Sequence, residues 1–176
     1  MRVLGLDLSL TSTGIAAIED GKLVRAGYIR AGERREAARL EHIVTGIFSF
    51  VREIGWEGFT AGYNDYQVAI EGYAYSRILS QQHSTGELGG VVRLELHRAG
   101  IEYHVFGPGV WRKVVLGNGK FDKTQVRLEV FKRFAGLEIA SHDALEAFCV
   151  AQCLYLTATG QAKPRAVPIR KKKVAA

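Results

Sequence analysis

The chain has 176 residues, of which 47% are hydrophobic, enough for one sizeable core but no argument for two complete domains. Its 24 Lys and Arg residues exceed its 18 Asp and Glu residues, which gives a formal net charge of +6. No signal-peptide pattern precedes the first apolar segment, and no apolar run approaches the roughly 20 residues that span a membrane, so we predict a cytoplasmic protein without a membrane partner.

The first half of the chain predicts a meander of strands followed by a helix. Residues 2 to 8, 13 to 19 and 23 to 30 have the composition of three antiparallel strands separated by turn residues. Residues 33 to 54 carry apolar side chains at helical spacing. A loop rich in glycine and aromatic residues then leads to a buried strand that ends at Glu71.

The middle of the chain predicts another helix and strand. A helix from about Ser80 to Arg98 contains three small residues that permit close packing, either on the sheet or in an interface: Gly86, Gly89 and Gly90. Residues 101 to 106 predict a fifth strand, and residues 110 to 116 predict a short helix after a Gly-Pro-Gly turn.

The last part of the chain is predicted to be helical. Asp122 begins a capping-box pattern before a helix through Phe134, and Ser141 is the expected N-cap of a final helix over residues 142 to 158. The cysteines of that helix are four residues apart, which matches neither a redox pair nor a zinc site, so we predict two buried thiols, Cys149 and Cys153. The order of elements predicts an α/β fold, with helices covering a mixed sheet.

Three acidic residues are attached to apolar elements. Asp7 lies within the first strand, Glu71 ends the fourth, and Asp143 lies in the first turn of the last helix. Three carboxylates at one sheet edge repel one another unless a divalent cation lies between them, and oxygen ligands favour Mg²⁺ or Mn²⁺. Glu146 projects from nearly the same helix face as Asp143, whereas His142 is turned about 100° away, so Glu146 is the better fourth ligand. Taken alone, Glu146 is equally typical of an exposed helix residue.

The net positive charge lies in the C-terminal segment, residues 161 to 176. Without its six basic residues, the 24 Lys and Arg residues fall to 18, which equals the number of acids. We predict a disordered tail that binds a polyanion, or alternatively a solubilising terminus. The six residues are Lys163, Arg165, Arg170, Lys171, Lys172 and Lys173.

The acidic segments resemble the catalytic motifs of RuvC-type Holliday junction resolvases. The matching runs, in the same order and at similar spacing, are Gly5–Ser9 with Thr13-Gly14, Ala69–Glu71 and Asp143–Leu145. The segment between them also resembles that family through Pro108, Arg112, Gly117, Gly119, Lys123 and Val126. The resemblance covers residues 1 to about 158, so we predict a nuclease domain over residues 1 to 160. The short length and basic tail are most similar to phage-borne members.

The resemblance implies a ribonuclease-H-like fold with a mixed five-stranded sheet flanked by helices. It further implies a homodimer that binds four-way or other branched DNA and hydrolyses a phosphodiester in each of two strands, leaving 5′-phosphate and 3′-hydroxyl ends. The implied cofactor is Mg²⁺, with two ions per site and Mn²⁺ as a substitute, and no nucleotide cofactor is expected.

The same resemblance assigns roles to individual residues. Metal ligands and catalytic groups would be Asp7, Glu71 and Asp143, with Glu146 added from its helix position, and Lys123 would stabilise the scissile phosphate. The resemblance also implies DNA contacts by Lys123 and by Arg112, which replaces a lysine of the family. From the chemistry of the residues themselves, Lys113 and Lys120 would hold flanking phosphates, and Tyr73 or Tyr75 would stack on a base. The charge of the tail suggests further contacts by Arg170, Lys171, Lys172 and Lys173.

Two positions depart from the family pattern. Ala140 replaces an acid or histidine three residues before the last aspartate, so Glu146 or His142 must substitute, or a second metal is weakly held. Ala74 replaces an aromatic residue used at the junction centre, so a neighbouring tyrosine would stack on a base or serve a structural role.

Two other functions are compatible with parts of the sequence. The Ala140 and Ala74 departures would suit a non-cleaving or RNA-directed relative that binds structured nucleic acid. The run from Asp7 to Gly14 is also similar to the phosphate loop of actin-like ATPases and sugar kinases, but those proteins need a second lobe for which this chain has no length.

Overall fold

A computed structural model of the chain describes residues 1–61, 66–72 and 79–162. The strands are β1 (Arg2–Asp7), β2 (Ser12–Glu19), β3 (Lys22–Arg30), β4 (Tyr66–Glu71) and β5 (Tyr103–Phe106). The helices are α1 (Glu36–Glu53), α2 (Leu79–Arg98), α3 (Pro108–Leu116), α4 (Lys123–Arg133) and α5 (His142–Ala158). The predicted order of elements is confirmed, and a 3-10 helix at Glu57–Ala61 replaces part of the predicted loop before β4.

The strands form one mixed sheet in the order β3-β2-β1-β4-β5. β1, β2 and β3 are antiparallel neighbours, whereas β4 runs parallel to both β1 and β5. Leu6 of β1 is paired with Ile70 of β4, so Asp7 and Glu71 both follow at the carboxyl ends of adjacent parallel strands. The sheet order therefore brings together two acids that are distant in sequence.

The alternating side chains of the central strands bury a core on each face of the sheet. Leu4 and Leu6 belong to the core shared with α1 and α2, whereas Val3 belongs to the core shared with α3, α4 and α5. Burying such a side chain is worth about 1.5–3 kcal/mol, so the two cores hold the sheet between two helical layers. Cys149 and Cys153 are buried free thiols, as predicted, and burial raises the pKa of Cys153 to about 12.

Two glycines allow α5 to lie directly on the sheet. A Cβ atom at Gly5 would overlap the backbone carbonyl of Ala147, and one at Gly14 would overlap the backbone of Asp143. Because only glycine permits this approach, the first turns of α5 lie against the ends of β1 and β2. Asp7 is paired with Gly14, so the same contact brings the acids of α5 close to Asp7.

The helix starts follow the predicted capping. The Asp122 side chain accepts a hydrogen bond from the Gln125 backbone, with the reciprocal bond of a capping box, and the Ser141 side chain accepts one from the Ala144 backbone. No described helix is both long enough and apolar enough to cross a bilayer. The predicted junction residues Tyr73 and Tyr75 lie outside the described residues, as does the basic segment from residue 163 to residue 176.

Candidate active site

Three carboxylates meet at the edge of the sheet where β1 and β4 end. Among the described residues, Asp7, Glu71 and Glu146 each contribute a carboxylate oxygen to a group of atoms that lie within 4.8 Å of one another. Asp7 and Glu71 are partly buried, and Glu146, in the second turn of α5, is buried with 5% of its surface exposed. We call these three residues the acidic cluster.

The electrostatics of the acidic cluster favour the neutral form of Asp7 when no cation is present. Burial, followed by a hydrogen bond with Glu71 and by the negative charges of Glu71, Glu146 and Asp143, raises the pKa of Asp7 to about 9. Desolvation and like charges both disfavour a second buried anion. A cation among these oxygens would reverse the balance and favour the ionised carboxylate.

Glu146 lies in a mixed environment of opposite charges. Burial and the charge of Glu71 raise the pKa of Glu146, whereas His142, Lys123 and a hydrogen bond from Arg112 act in the opposite direction. Arg112 Nη2 is 3.1 Å from Glu146 Oε1, and His142 Nε2 is 3.6 Å from Glu146 Oε2. The buried carboxylate is therefore partly compensated by neighbouring cationic groups.

Helix α3 directs two consecutive side chains at the acidic cluster. Trp111 Nε1 donates a hydrogen bond of 2.9 Å to Glu71 Oε1, and the guanidinium of Arg112 lies 5.0 Å from the centroid of the Trp111 ring. Pro108 begins this helix immediately after β5, which places its first turn beside the end of β4. The sequence did not single out Trp111, because a tryptophan in an amphipathic helix indicates only a core position.

Asp143 lies one turn before Glu146 and does not belong to the acidic cluster as defined by those distances. Its Oδ2 atom accepts a hydrogen bond of 2.6 Å from Ser12 Oγ at the start of β2. Its charge nevertheless contributes to the raised pKa of Asp7, so it remains electrostatically coupled to the cluster. Ser12 is a second residue of the site without a distinctive sequence signal.

The predicted basic residues around the site differ in their accessibility. Lys113, Lys120 and Lys123 are exposed, and Lys123 occupies the first turn of α4. Arg112 is only 20% exposed and is directed towards Glu146. The exposed lysines are therefore free to approach a ligand from solvent, whereas Arg112 is already engaged within the site.

The donor set of the acidic cluster fits a hard divalent cation. Carboxylate oxygens are the ligands of Mg²⁺ and Mn²⁺, and the group contains neither cysteine nor histidine among its three members. Burial first, and then the neighbouring carboxylates, raise the pKa of Asp7, and such strongly shifted groups are typical of functional sites. Asp143, bound to Ser12, lies outside this group and is coupled to it through its charge.

Comparison with known proteins assigns a family to these features. A family model described as "Crossover junction endodeoxyribonuclease RuvC" matches residues 3–154. The chain is 31% identical over 161 residues to the protein of that name from Mycobacterium ulcerans, with 87% of this chain and 82% of the relative covered. The chain is 30% identical over 158 residues to the protein of the same name from Corynebacterium jeikeium, with 85% of this chain and 91% of the relative covered.

The fold is also similar to solved structures of the same name. A structure described as T. thermophilus RuvC in complex with Holliday junction substrate matches with a TM-score of 0.73 and 21% sequence identity, covering 94% of this chain and 99% of that chain. A second T. thermophilus RuvC structure matches with a TM-score of 0.71 and 21% sequence identity, covering 94% of this chain and 100% of that chain. These matches confirm the mixed five-stranded sheet with flanking helices that the sequence predicted.

Proposed function

Because the chain belongs to the family of the crossover junction endodeoxyribonuclease RuvC, we propose that it is an endodeoxyribonuclease that resolves four-way (Holliday) and related branched DNA junctions. The observation that supports this function best is the convergence of Asp7, Glu71 and Glu146 at one sheet edge. Such a concentration of metal-binding oxygens suits metal-assisted hydrolysis of a DNA phosphodiester.

The proposed cofactor is Mg²⁺, with two ions per site and Mn²⁺ as a functional substitute. Bound metal of this kind activates water and stabilises the leaving oxygen of a phosphodiester. Asp7, Glu71 and Glu146 would hold it, and Asp143 would join them from the preceding turn of α5. The partial compensation of Glu146 by Arg112 would keep this buried carboxylate in place before metal binds.

The exposed lysines have complementary proposed roles. Lys123 is close enough to Glu146 to lower the pKa of that carboxyl, and it lies at a helix N-terminus, where anions are favoured. It would stabilise charge on the scissile phosphate, with the expected products carrying 5′-phosphate and 3′-hydroxyl ends. Lys113 and Lys120 would contact flanking phosphates, which position DNA without specifying sequence. Arg112 binds Glu146 through one of its five N–H donors, so it could also contact a phosphate through the others.

The function is tested with a labelled four-way junction and a linear duplex of the same sequence, each incubated with Mg²⁺, Mn²⁺ or EDTA. We expect paired nicks on two strands of like polarity, confined to the junction and absent in EDTA. Religation of the products without added phosphate would establish the 5′-phosphate. Junction binding without nicks in either metal would contradict the proposal and favour the non-cleaving alternative.

We also propose that the protein acts as a homodimer, since paired incision needs two active sites. On the described part of α2, a Cβ atom added at Gly86 or at Gly90 would lie in open space, and Leu94 is 46% exposed. These residues are spaced by four and share one side of the helix, and no described residue of the subunit covers them closely. Gly86 and Gly90 therefore do not show the predicted packing on the sheet, whereas Gly89, the third of the predicted small residues, is buried.

Sedimentation equilibrium at micromolar concentration should give a mass of about twice 19.4 kDa. Gly90→Lys, which places a charge on the open side of α2, should shift this mass towards the monomer and uncouple the two nicks. Ala38→Lys, which adds the same single charge at an exposed position of α1, is the matched control. A wild-type monomer at these concentrations would contradict paired incision.

Substitutions of Glu146 and of His142 are predicted to reduce cleavage to different extents. Glu146→Gln removes a carboxylate of the acidic cluster and should lower apparent Mg²⁺ affinity by more than about 10-fold. His142→Gln removes only a neighbour 3.6 Å from that carboxylate and should have a smaller effect. The apparent Mg²⁺ affinity of each variant is measured from its cleavage rate at increasing Mg²⁺ concentrations. A larger loss in His142→Gln would identify His142 as the substitute for the acid missing at Ala140.

The basic tail is predicted to strengthen junction binding through its charge. Deleting residues 163 to 176 removes six basic side chains, so the slope of log affinity against log salt should fall in magnitude by up to about 5. Fluorescence anisotropy with a labelled junction at several salt concentrations measures this slope. A full-length variant with the six residues changed to glutamine is the control for chain length. An unchanged slope in both would favour a solubilising role.

A further inference from the structure

Trp111 combines complete burial with a polar contact to the acidic cluster. Its side chain has 0% exposed surface, and its indole nitrogen is 2.9 Å from Glu71 Oε1. The indole N–H is the only polar group of a tryptophan and can only donate. A buried tryptophan usually needs one hydrogen-bond partner, and here that partner is a carboxylate predicted to bind metal. The orientation of the Glu71 carboxylate is therefore linked to the packing of α3.

The two parts of the Trp111 ring system contact different components of the site. Its edge binds Glu71, and its face lies 5.0 Å from the guanidinium of Arg112. Arg112 in turn binds Glu146 Oε1 at 3.1 Å. Trp111 thus restrains Glu71 directly. It also supports Arg112, which in turn binds Glu146.

Fixing a carboxylate matters because metal ligands act only in a defined orientation. A hydrogen bond to Oε1 holds the plane of the Glu71 carboxylate and leaves Oε2 available to another partner. Groups that hydrogen-bond to metal ligands commonly change metal affinity or activity by about 10–100-fold when they are removed. Trp111 is rigidly held within the core, whereas a flexible surface donor would have to be ordered first.

We propose that Trp111 is a positioning residue of the metal centre, whose indole N–H orients Glu71 for binding a divalent cation. This inference rests on the proposed function, since it assigns the acidic cluster to metal binding. Trp111 contacts neither DNA nor the scissile phosphate in this role and acts only through Glu71. Its removal should therefore weaken metal binding while leaving junction binding intact.

The first experiment compares Trp111→Phe with Trp56→Phe. Phenylalanine keeps an aromatic ring for packing and for the Arg112 contact but removes the N–H donor. Trp56 is also buried, with 5% exposed surface, but lies in the core on the opposite face of the sheet, so its substitution controls for lost volume. The metal affinity of each protein is measured from the rise in melting temperature as Mg²⁺ is added, which requires no catalysis.

We expect Trp111→Phe to need about 10-fold or more Mg²⁺ for half-maximal stabilisation and for half-maximal cleavage. Cleavage should recover at high Mg²⁺, and junction affinity measured in EDTA should be unchanged. Trp56→Phe should match the wild type in its metal response. The inference is overturned if the folded Trp111→Phe protein has the metal affinity of the wild type.

The second experiment uses fluorescence and does not require Trp111 to be replaced. The chain contains only two tryptophans, so Trp111 is the sole source of tryptophan emission in the Trp56→Phe protein. Adding Mg²⁺ should change this emission over the concentration range that stabilises the fold, because a cation beside the Glu71 carboxylate changes the electric field at the indole. Glu71→Gln in the same background should abolish the change. No emission change in Trp56→Phe would overturn the inference even if Trp111→Phe fails to fold.

The two proposals fail in different ways. If Trp111 reports Mg²⁺ binding and Trp111→Phe weakens it, but no DNA substrate is cleaved, the proposed nuclease function fails while the positioning role stands. If the wild type cleaves junctions and Trp111→Phe responds to Mg²⁺ like the wild type, only the positioning role fails.

Discussion

Asp7→Asn and Glu71→Gln should each reduce the rate of junction cleavage by at least about 10³-fold, because metal assistance is worth several kcal/mol and every 1.36 kcal/mol is tenfold in rate. Both substitutions keep the size of the side chain but remove an anionic oxygen from the acidic cluster. Single-turnover cleavage with protein in excess over junction measures the chemical step. Binding should persist, since neither acid is expected to attract DNA.

The matched control for these variants is Glu53→Gln, which removes an acid from an exposed ion pair with Arg25. Exposed pairs of this kind contribute about 0–1 kcal/mol, so neither cleavage nor stability should change appreciably. Junction affinity is measured for every variant in EDTA, which separates lost binding from lost chemistry. Cleavage at the wild-type rate by Asp7→Asn and by Glu71→Gln would refute the assignment of the acidic cluster as the catalytic centre.

Asp7→Asn is also expected to stabilise the metal-free protein at neutral and alkaline pH. The pKa of Asp7 is raised by burial from about 4 to about 9, so the folded state retains a proton that the unfolded state has lost. Stability of the metal-free wild type should therefore decline as the pH rises between these two values. The cost at pH 8 is on the order of a few kcal/mol, equivalent to several degrees in melting temperature. Asparagine is neutral throughout and avoids this cost.

Thermal melts at pH 5 and pH 8 in EDTA test the effect. The wild type should lose more stability than Asp7→Asn between the two pH values. At pH 8 the metal-free wild type should be less stable than Asp7→Asn. Adding Mg²⁺ should make the wild type the more stable of the two, because only the wild type gains stability from bound metal. Asp20→Asn, at an exposed position paired with the N-terminus, is the control and should leave the pH dependence between 5 and 8 largely unchanged. If wild type and Asp7→Asn lose the same stability between pH 5 and pH 8, the pKa of Asp7 is not raised.

The order of strands and helices could be predicted from the sequence because it depends on local patterns. Alternating apolar residues mark the meander, helical periodicity marks α1, and the capping residues Asp122 and Ser141 mark two helix starts. The unpredicted 3-10 helix at Glu57–Ala61 lies in a segment whose composition is typical of loops. Its formation depends on the burial of Phe59 against other parts of the chain, which local composition does not reveal.

The acids of the site could be predicted in part. Asp7 and Glu71 were identifiable because a carboxylate attached to a buried strand is costly without a partner. Glu146 was favoured over His142 by helix geometry, and its carboxylate does join those of Asp7 and Glu71. The position of Asp143 could not be predicted, because its hydrogen bond to Ser12 joins residues 131 positions apart.

The sequence by itself determined the elements of this protein, the family motifs and the identity of the acids proposed to bind metal. Only the tertiary structure decided that Trp111 binds Glu71, that Arg112 faces Glu146, and that Asp143 binds Ser12 outside the cluster. The physical reason is that secondary structure follows short-range periodicity and capping. Contacts within the site depend instead on how closely α3 and α5 approach the sheet. Gly5 and Gly14 permit the close approach of α5, but only the packed structure reveals that they contact this helix.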